Sequence, residues 1–319
     1  MIARVTRDIP IPSSISAAAR ASLQAMMDLD FDSADAPGDH AGWEALVAFT
    51  DEMLLAILPP PAATTRVEAV TVGGVPAYDV QPVELESDLV CLYIHGGGLT
   101  MGGGEVTGRM TATFAEGARI RSVGVDYRMP PNHPYPAPLD DCLAAYRGLL
   151  EQHAAADLVV AGASAGGNLA PALLLRARDE GLLLPAGLVL QTPEVDLTES
   201  GDSFETNMGI DPVLRARLRP ANLLYAGDYD LADPYLSPLF GELSGFPPTF
   251  LQTGTRDLFL SNTVRFHRAL RRYGVRADLH VWEAMPHGGF GAMLEGGPGG
   301  APEDREIYEE IRRFLASIP

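Results

Sequence analysis

A serine placed between two glycines constrains the fold of this chain more than any other feature. Residues 162–166 read Gly-Ala-Ser-Ala-Gly and directly follow the apolar run 157–161, Asp-Leu-Val-Val-Ala. A strand that passes through such a pentapeptide into a helix of small residues must turn sharply, so side chains at Gly162 and Gly166 would collide with neighbouring backbone. The turn holds Ser164 in a strained conformation, with its hydroxyl pointing out of the sheet. The pattern therefore predicts an exposed nucleophilic serine.

A second glycine motif supports this interpretation. Residues 95–98 read His-Gly-Gly-Gly and follow the strand-like run 89–94. Chance would supply about 0.15 matches to the serine motif and about 0.007 to this one in a chain of this composition. Such a loop can bring backbone N–H groups close to a substrate, or it can cradle a phosphate. The phosphate interpretation is disfavoured because neither a Lys-Ser/Thr pair nor an acidic residue for a ribose follows.

Composition and charge exclude several classes of protein. The 319 residues suit one large α/β domain, and the net charge of −19 argues against nucleic acid or anionic membrane as a partner. Cys91 lies in a predicted strand and Cys142 in a predicted helix, so both are expected to be buried and reduced. Neither a signal peptide nor an apolar stretch of about 18 residues is visible, and we expect a cytoplasmic protein without a membrane anchor.

The order of predicted elements indicates the fold class. Two helical segments are predicted near the N-terminus: 13–29, capped by Ser13 and Ser14, and 42–58. Three prolines end the second segment. Strands are then predicted at 66–72, 76–81, 89–94, 120–127, 157–162, 187–192, 248–253 and 277–283. Helices are predicted near 105–118, 138–152, 165–181, 261–273 and 303–317. This alternation predicts a mostly parallel eight-stranded sheet flanked by helices on both faces, preceded at 66–81 by a hairpin-type pair.

One long insertion interrupts this alternation. Residues 196–245 are polar and punctuated by proline, with a short helix predicted near 211–227. An insertion of this length in an α/β domain is usually functional, most often as a lid. We therefore expect residues 1–62 to form a helical cap, with a contribution from 196–245, over a catalytic domain spanning 63–319. A glycine-rich loop at 296–300 precedes the last helix.

A serine nucleophile needs a base, and position selects one histidine from the three that follow the serine. His267 falls within the predicted helix 262–273, and His280 lies within the last strand. His287 instead occupies the loop 285–290 directly after that strand, where a side chain can reach over the carboxyl edge of the sheet. The sequence predicts His287 as the base.

The acid that orients this base should lie after the preceding strand. Asp257 occupies the loop that leaves the strand 248–253. Asp278 opens the last strand, while Asp196 and Asp211 come too early in the chain. Asp257 would hold the imidazole tautomer without taking the proton itself. It is also well placed to cap the following helix, and the two roles are compatible.

An oxyanion site completes the predicted chemistry. Charge develops on the substrate carbonyl oxygen during attack, and backbone N–H groups that approach closely stabilise it. The glycines of the 95–98 loop are the expected donors, together with the N–H of Ala165 next to the nucleophile.

These motifs resemble the hormone-sensitive-lipase-like branch of the α/β-hydrolases, the bacterial family IV esterases. The resemblance spans roughly residues 85–318 and rests on the segments 95–98, 126–141 and 162–170, with Asp257 and His287. It implies an α/β-hydrolase fold with a helical cap and a serine carboxylester hydrolase that forms an acyl-enzyme on short- to medium-chain acyl esters.

The resemblance also implies roles for individual residues. It places the oxyanion hole at Gly97, Gly98 and Ala165, and it makes His95 a structural residue that braces the glycine loop. Gly96, Gly162 and Gly166 are structural in the same way, and 126–141 is a structural loop beside the site. No cofactor and no metal are expected, the substrate is a small-molecule ester, and the protein is expected to be a monomer or homodimer.

Three positions depart from the family pattern. The acid is followed by Leu-Phe-Leu at 258–260, the base by Gly-Gly-Phe at 288–290, and Glu194 stands where an aromatic residue is common. We expect the first two to alter packing more than chemistry. Glu194 either places a carboxylate near the pocket wall or has a surface or hydrogen-bonded structural role.

Several questions stay open at the level of sequence. A lactone or amide could be the substrate of the same triad, and a catalytically silent small-molecule-binding protein is the alternative from another class. Apolar residues that are candidates to line the acyl pocket, or else to pack in the core, are Phe31, Trp43, Leu99, Met101 and Met208.

Overall fold

The computed structural model describes residue 6 and residues 8–29, 36–291 and 300–318. In these ranges eight strands form one sheet in the order β1-β2-β4-β3-β5-β6-β7-β8. The strands are β1 (Arg66–Val72), β2 (Val75–Gln81), β3 (Val90–Ile94), β4 (Arg121–Val125), β5 (Leu158–Ala163), β6 (Gly187–Gln191), β7 (Thr249–Gly254) and β8 (Ala277–Trp282). All eight predicted strands are present, with ends that differ by no more than two residues.

The direction of the strands confirms a mostly parallel sheet. β1 and β2 form the predicted hairpin through Gly73 and Gly74, which both have positive φ, and β2 runs antiparallel to β4. Every later pair, from β4–β3 to β7–β8, is parallel. The parallel strands therefore present their carboxyl ends along one edge of the sheet, where ligands bind in open α/β folds.

Helices cover both faces of the sheet. They are α1 (Ala17–Asp28), α2 (His40–Ile57), α3 (Glu105–Ala118), α4 (Ala137–Leu150), α5 (Gly166–Asp179), α6 (Ser203–Thr206), α7 (Arg219–Ala226), α8 (Leu260–Arg272) and α9 (Pro302–Ala316). Along β3, Leu92 packs in the cluster formed with α4, α5 and α8, whereas Cys91 and Tyr93 pack in the cluster with α1, α3 and α9. This alternation follows from the two-residue period of a strand that is buried on both faces.

The first helix begins later than its sequence suggested. The cap is Ser16, not Ser13 or Ser14, because the Ser16 hydroxyl accepts a hydrogen bond from the N–H of Ala19 at 3.0 Å. Ser16 also donates from its N–H and its hydroxyl to the two carboxylate oxygens of Glu303 in α9, at 2.7 and 2.8 Å. α1 is thereby held against α9, although the two helices lie far apart in the sequence.

The insertion 196–245 contains less helix than predicted. In place of a helix over 211–227, α7 begins at Arg219, because the Asp211 carboxylate accepts the N–H groups of Val213 and Leu214 and holds a turn there. The insertion reaches the N-terminal segment through Arg215, whose guanidinium donates to the carbonyl of Met26 at 2.7 Å.

Further expectations concern the two cysteines, membrane-spanning helices and the glycine-rich loop. Cys91 and Cys142 are buried free thiols, as expected. Among the residues that the structure describes, no helix combines the length and the apolar character needed to cross a bilayer. The loop predicted at 296–300 lies outside the described residues except for Gly300.

Candidate active site

The turn around Ser164 has the predicted geometry. Ser164 lies between the end of β5 and the start of α5, with a φ of +54° that L-residues rarely adopt. A methyl group at Gly162 would lie 2.1 Å from the carbonyl oxygen of Gly166, and one at Gly166 would lie 1.9 Å from that of Ile94. Only glycine fits at both positions, and the strained turn projects the serine beyond the strand.

The structure brings Ser164, His287 and Asp257 together. The Oγ of Ser164 lies 2.8 Å from Nε2 of His287, and Nδ1 of His287 lies 3.0 Å from Oδ1 of Asp257. Because a carboxylate only accepts hydrogen bonds, Nδ1 carries the proton and Nε2 is free to accept the serine hydroxyl proton. Three side chains that are distant in sequence thus form one hydrogen-bonded chain.

Burial strengthens the interaction between the acid and the base. Asp257 is fully buried and His287 is 6% exposed. Burial by itself lowers the pKa of His287, but the acidic groups around it, with Asp257 first among them, together outweigh burial, and the pKa lies above its usual value of 6.5. The carboxylate of Asp257 also accepts the hydroxyl of Thr253 at 2.6 Å and the N–H of Phe259 at 2.9 Å. It therefore also anchors the start of the following segment.

The other two histidines downstream have structural contacts. His267 lies in α8, with Nε2 3.3 Å from the carbonyl of Ala277, and the ring of His280 stacks on Phe250 with centroids 4.7 Å apart. Neither ring is among the contacts of Ser164, as their positions in a helix and a strand predicted.

Asp211 is a residue at this site that the sequence analysis set aside. Its Oδ2 accepts the N–H of Leu258 at 2.8 Å and lies 3.3 Å from the N–H of His287. Oδ1 holds the turn at Val213 and Leu214 described above. Burial raises the pKa of Asp211 to about 6, and the neighbouring Asp257 adds to the rise. Asp211 thus joins the insertion to the backbone of both the acid loop and the base loop.

The glycine loop lies beside the nucleophile. A methyl group at Gly96 would lie 3.2 Å from Cβ of Ser164, which places the loop against the serine. Gly97 and Gly98 have φ of +129° and +58°. In the described part of the chain, no acceptor binds the N–H groups of Gly97, Gly98 or Ala165. These donors are therefore available to a ligand.

His95 braces this loop from below. The ring is fully buried and stacks on Tyr127 with centroids 4.2 Å apart, and Nδ1 donates to the carbonyl of Gly96 at 2.7 Å. The Tyr127 hydroxyl donates to the carbonyl of His95 at 2.9 Å. Burial lowers the pKa of His95 to about 4, so the ring is neutral at physiological pH. This geometry fits a structural role.

Glu194 lies next to Ser164 and not on the surface. Its backbone N–H donates to the carbonyl of Ser164 at 3.2 Å, and its fully buried carboxyl accepts from the side chain of Asn222 at 3.0 Å. The other carboxyl oxygen has no hydrogen-bond partner among the described residues. Burial raises the pKa of Glu194 to about 8, so the carboxyl is largely neutral at pH 7.

The candidate pocket residues occupy different environments. Leu99 is fully buried in the core and Trp43 is nearly so on α2, whereas Met101 is half-buried. Met208 lines a cleft of about 640 Å³ that includes Asp211, the residue bonded to the base loop. Other residues that line this cleft are Ile9, Met27 and Ile210. Phe31 lies outside the described residues.

In the described ranges, no three His, Cys, Asp or Glu side chains are grouped so that they could hold a metal ion.

Comparison with known proteins identifies the family. A family model described by the alpha/beta hydrolase fold matches residues 91–291. An esterase of Acinetobacter venetianus is 30% identical over 264 residues, which cover 81% of this chain and 84% of that protein. The crystal structure of an esterase, E25, matches with a TM-score of 0.87 and 36% identity and covers 99% of this chain and 98% of its own.

A further structural match narrows the family. The crystal structure of an esterase from the bacterial hormone-sensitive lipase family has a TM-score of 0.80 and 30% identity, covering 95% of this chain and 98% of its own. The chain therefore belongs to the α/β-hydrolase fold family, among the esterases that resemble hormone-sensitive lipase.

Proposed function

We propose that the protein is a serine carboxylester hydrolase that works through an acyl-enzyme. The observation that carries this proposal is the continuous hydrogen-bonded chain from Ser164 through His287 to Asp257. A serine hydroxyl is a poor nucleophile at neutral pH, and an oriented imidazole at 2.8 Å is the group that activates it. The names of the matched relatives, which are esterases, support the same chemistry.

The reaction follows from this geometry in two steps. In the first, Oγ of Ser164 attacks the ester carbonyl carbon while its proton passes to Nε2 of His287. The bond to the alcohol oxygen then breaks, and the alcohol leaves with that proton. In the second step, water gives a proton to His287 and attacks the acyl carbon. The bond to Ser164 breaks, the serine recovers its proton and the carboxylic acid is released.

We place the oxyanion hole at the backbone N–H groups of Gly97, Gly98 and Ala165. These three donors lie beside the nucleophile and have no acceptor in the described part of the chain. Asp257 stabilises the imidazolium that forms during attack and does not take the proton itself. His95 supports the loop and takes no proton, because its low pKa keeps it neutral.

The substrates that we propose are small-molecule esters with short to medium acyl chains. The cleft lined by Met208, Ile9, Met27 and Ile210 also has polar walls, one of which is Asp211, next to the base loop. A cleft of this size with both apolar and polar walls suits a small ester whose acyl or alcohol group has a few carbons.

We propose that residues 1–62 and 196–245 act together as a cap over the domain 63–319. Support comes from the bond between Arg215 of the insertion and Met26 of α1. Arg256, next to the proposed acid, likewise donates to the carbonyl of Pro10 at 2.7 Å. The N-terminal segment thus contacts both the insertion and the catalytic domain.

Replacement of the nucleophile tests the proposal. Ser164→Ala should lower turnover of p-nitrophenyl acetate by about 10⁶-fold, because the acyl-enzyme can no longer form. Ser14→Ala, at an exposed serine, is the matched control and should keep full activity. Circular dichroism of both variants checks that the fold is retained. Full turnover by Ser164→Ala would remove Ser164 from its role.

The same assay separates the alternatives. Labelling of the wild-type protein by a fluorophosphonate, absent in Ser164→Ala, is expected for an active hydrolase. Absence of labelling and turnover in the wild type would favour the silent binding protein. Rates on an acetyl ester, a lactone and an anilide of similar size distinguish the substrate classes, and we expect the ester to react fastest.

A further inference from the structure

The segment that follows the proposed oxyanion residues has an unusual backbone. Between residues 97 and 104, positive φ angles occur at Gly97, Gly98, Leu99, Gly102 and Gly104. Each such residue in the left-handed region leaves the regular ladders of hydrogen bonds, and the non-glycine among them is strained. This stretch, which we call the oxyanion loop (residues 97–104), therefore depends on outside contacts to keep one conformation.

Two carboxylates from different parts of the chain supply such contacts. Oδ1 of Asp126 accepts the N–H of Gly104 at 3.0 Å, and Oδ1 of Asp51 accepts the N–H of Gly102 at 2.7 Å. Asp126 directly follows β4 at the edge of the sheet, whereas Asp51 lies on α2. The hydroxyl of Thr107 donates to the carbonyl of Gly102 at 2.8 Å. Both polar groups of the Gly102 backbone are therefore fixed, and the N–H is fixed from the N-terminal segment.

Gly102 is in direct contact with the residues that precede the oxyanion hole. A methyl group at Gly102 would lie 2.7 Å from Nδ1 of His95 and 2.8 Å from the carbonyl oxygen of Gly96. The carbonyl of Gly97 in turn accepts the N–H of Met101 at 3.0 Å. A shift of Gly102 cannot occur without a shift of this backbone, because the packing leaves no space between them.

α2 rests on the domain through few buried contacts. Of its 18 residues only Trp43 is buried, and Phe49 is 66% exposed. Polar bonds also hold it. Arg109 of α3 donates to the carbonyls of Leu55 and Leu58, and Asp51 binds Gly102. The side chain of Asn132 contacts His40 and Glu44 at the exposed start of the helix. The contact of Asp51 with the loop is thus one of the few polar bonds that dock this helix.

We infer that Asp51 is a positioning residue for the ester hydrolysis proposed above, and that it couples the docking of α2 to the conformation of the oxyanion loop. The inference rests on the proposed function. When α2 is docked, Asp51 holds Gly102 and the N–H groups of Gly97 and Gly98 face the substrate. When the contact is lost, the loop relaxes and transition-state stabilisation falls, whereas the contacts among Ser164, His287 and Asp257 do not involve it.

Burial raises the pKa of Asp51, and the nearby Asp126 adds to the rise. The hydrogen bond from the N–H of Gly102 lowers this pKa but does not cancel the rise. The carbonyl oxygen of an amide can accept the Gly102 N–H as the carboxylate does. The conservative variant Asp51→Asn should therefore preserve the contact, while Asp51→Ala removes it. Glu52, the exposed neighbour on α2, gives the matched control Glu52→Ala.

The experiment measures kcat and KM for p-nitrophenyl butyrate, and the inhibition constant of a trifluoromethyl ketone, in the four proteins. The ketone adds to Ser164 and places an oxyanion in the hole, so it reports transition-state stabilisation. We expect Asp51→Ala to lower kcat about tenfold at nearly constant KM and to weaken the ketone by a similar factor. Asp51→Asn should recover most of both values, and Glu52→Ala should match the wild type.

The possible results separate this inference from the proposed function. If the wild type hydrolyses the ester and Asp51→Ala behaves as Glu52→Ala does, the coupling is absent and the inference is wrong. A change in thermal stability or KM alone, with kcat and ketone affinity unchanged, would show that Asp51 only anchors the helix and would also overturn it. Failure of the proposed function appears separately, as turnover that survives Ser164→Ala or as an inactive wild type.

Discussion

The two halves of the proposed catalytic site are held in different ways. On the side of the acid and base, Asp257 is fully buried and receives hydrogen bonds from His287, Thr253 and Phe259, while Asp211 binds the backbone of both loops. On the opposite side, the oxyanion loop has five positive φ angles and depends on single bonds from separate segments. The comparison shows that the proposed proton-transfer groups are held by several hydrogen bonds each, whereas the proposed oxyanion donors depend on a few contacts, one of them from α2.

The largest loss of kcat should come from the acid and base side, when the charge of Asp257 is removed. Asp257→Asn keeps the shape of the side chain, but its amide can donate to Nδ1 of His287 and so favour the wrong tautomer. We expect kcat to fall about 10⁴-fold with little change in KM. Steady-state kinetics on p-nitrophenyl butyrate measures this. A loss below tenfold would show that Asp257 does not orient the base.

The second-largest loss of kcat should come from a change in the oxyanion loop. A methyl group at Gly97 would lie 2.0 Å from the carbonyl oxygen of Met101, and the φ of +129° is unfavourable for alanine. Gly97→Ala should therefore displace the loop and lower kcat about 10²- to 10³-fold. Gly74→Ala is the control, because Gly74 also has positive φ but has open space at Cβ. That variant should lose stability only, by about 1–2 kcal/mol. Equal kcat values for the two variants would contradict the comparison.

The smallest of the three effects tests how redundant the acid and base side is. Asp211→Asn cannot accept the N–H groups of both Val213 and Leu258, so we expect kcat/KM to fall about tenfold. The carboxylates of Asp257 and Asp211 both raise the pKa of His287. The base must be neutral to act, so activity rises with pH through that pKa.

Loss of the Asp211 charge lowers the pKa of His287, and the acid limb of kcat/KM should therefore move to lower pH in Asp211→Asn. A pH profile from 5 to 9 measures this shift. Asp202→Asn, at an exposed position of the same insertion, is the control and should leave the limb in place. A shift to higher pH in Asp211→Asn would contradict the assigned electrostatics.

The sequence was sufficient to place residues that directly follow a strand of the parallel sheet. Ser164, Asp257 and His287 each follow a parallel strand, and parallel strands bring their carboxyl ends to one edge. The eight strands were predicted because short runs that are apolar, or that alternate apolar and polar residues, lie between helical stretches. The order of the strands along the chain was therefore enough to predict that these three residues meet.

Residues outside the sheet could not be placed in this way. Asp211 was set aside because its position in the chain precedes the acid strand, yet the insertion folds back and brings it to both loops. Asp51 and Glu52 are adjacent acidic residues on one helix, and only tertiary packing distinguishes the one that meets Gly102. The cap at Ser16 was missed because Ser13 and Ser14 have the same capping chemistry and the choice depends on Glu303.

The two hydrogen bonds between Ser16 and Glu303 have a consequence for the folding of the newly synthesised chain. They join positions 287 residues apart, so α1 reaches its docked position against α9 only after the segment that carries Glu303 has been synthesised. Before that, the apolar side chains of α1, such as Leu23 and Met26, lack the α9 members of their cluster, and exposed apolar surface of this kind favours aggregation of partly folded chains.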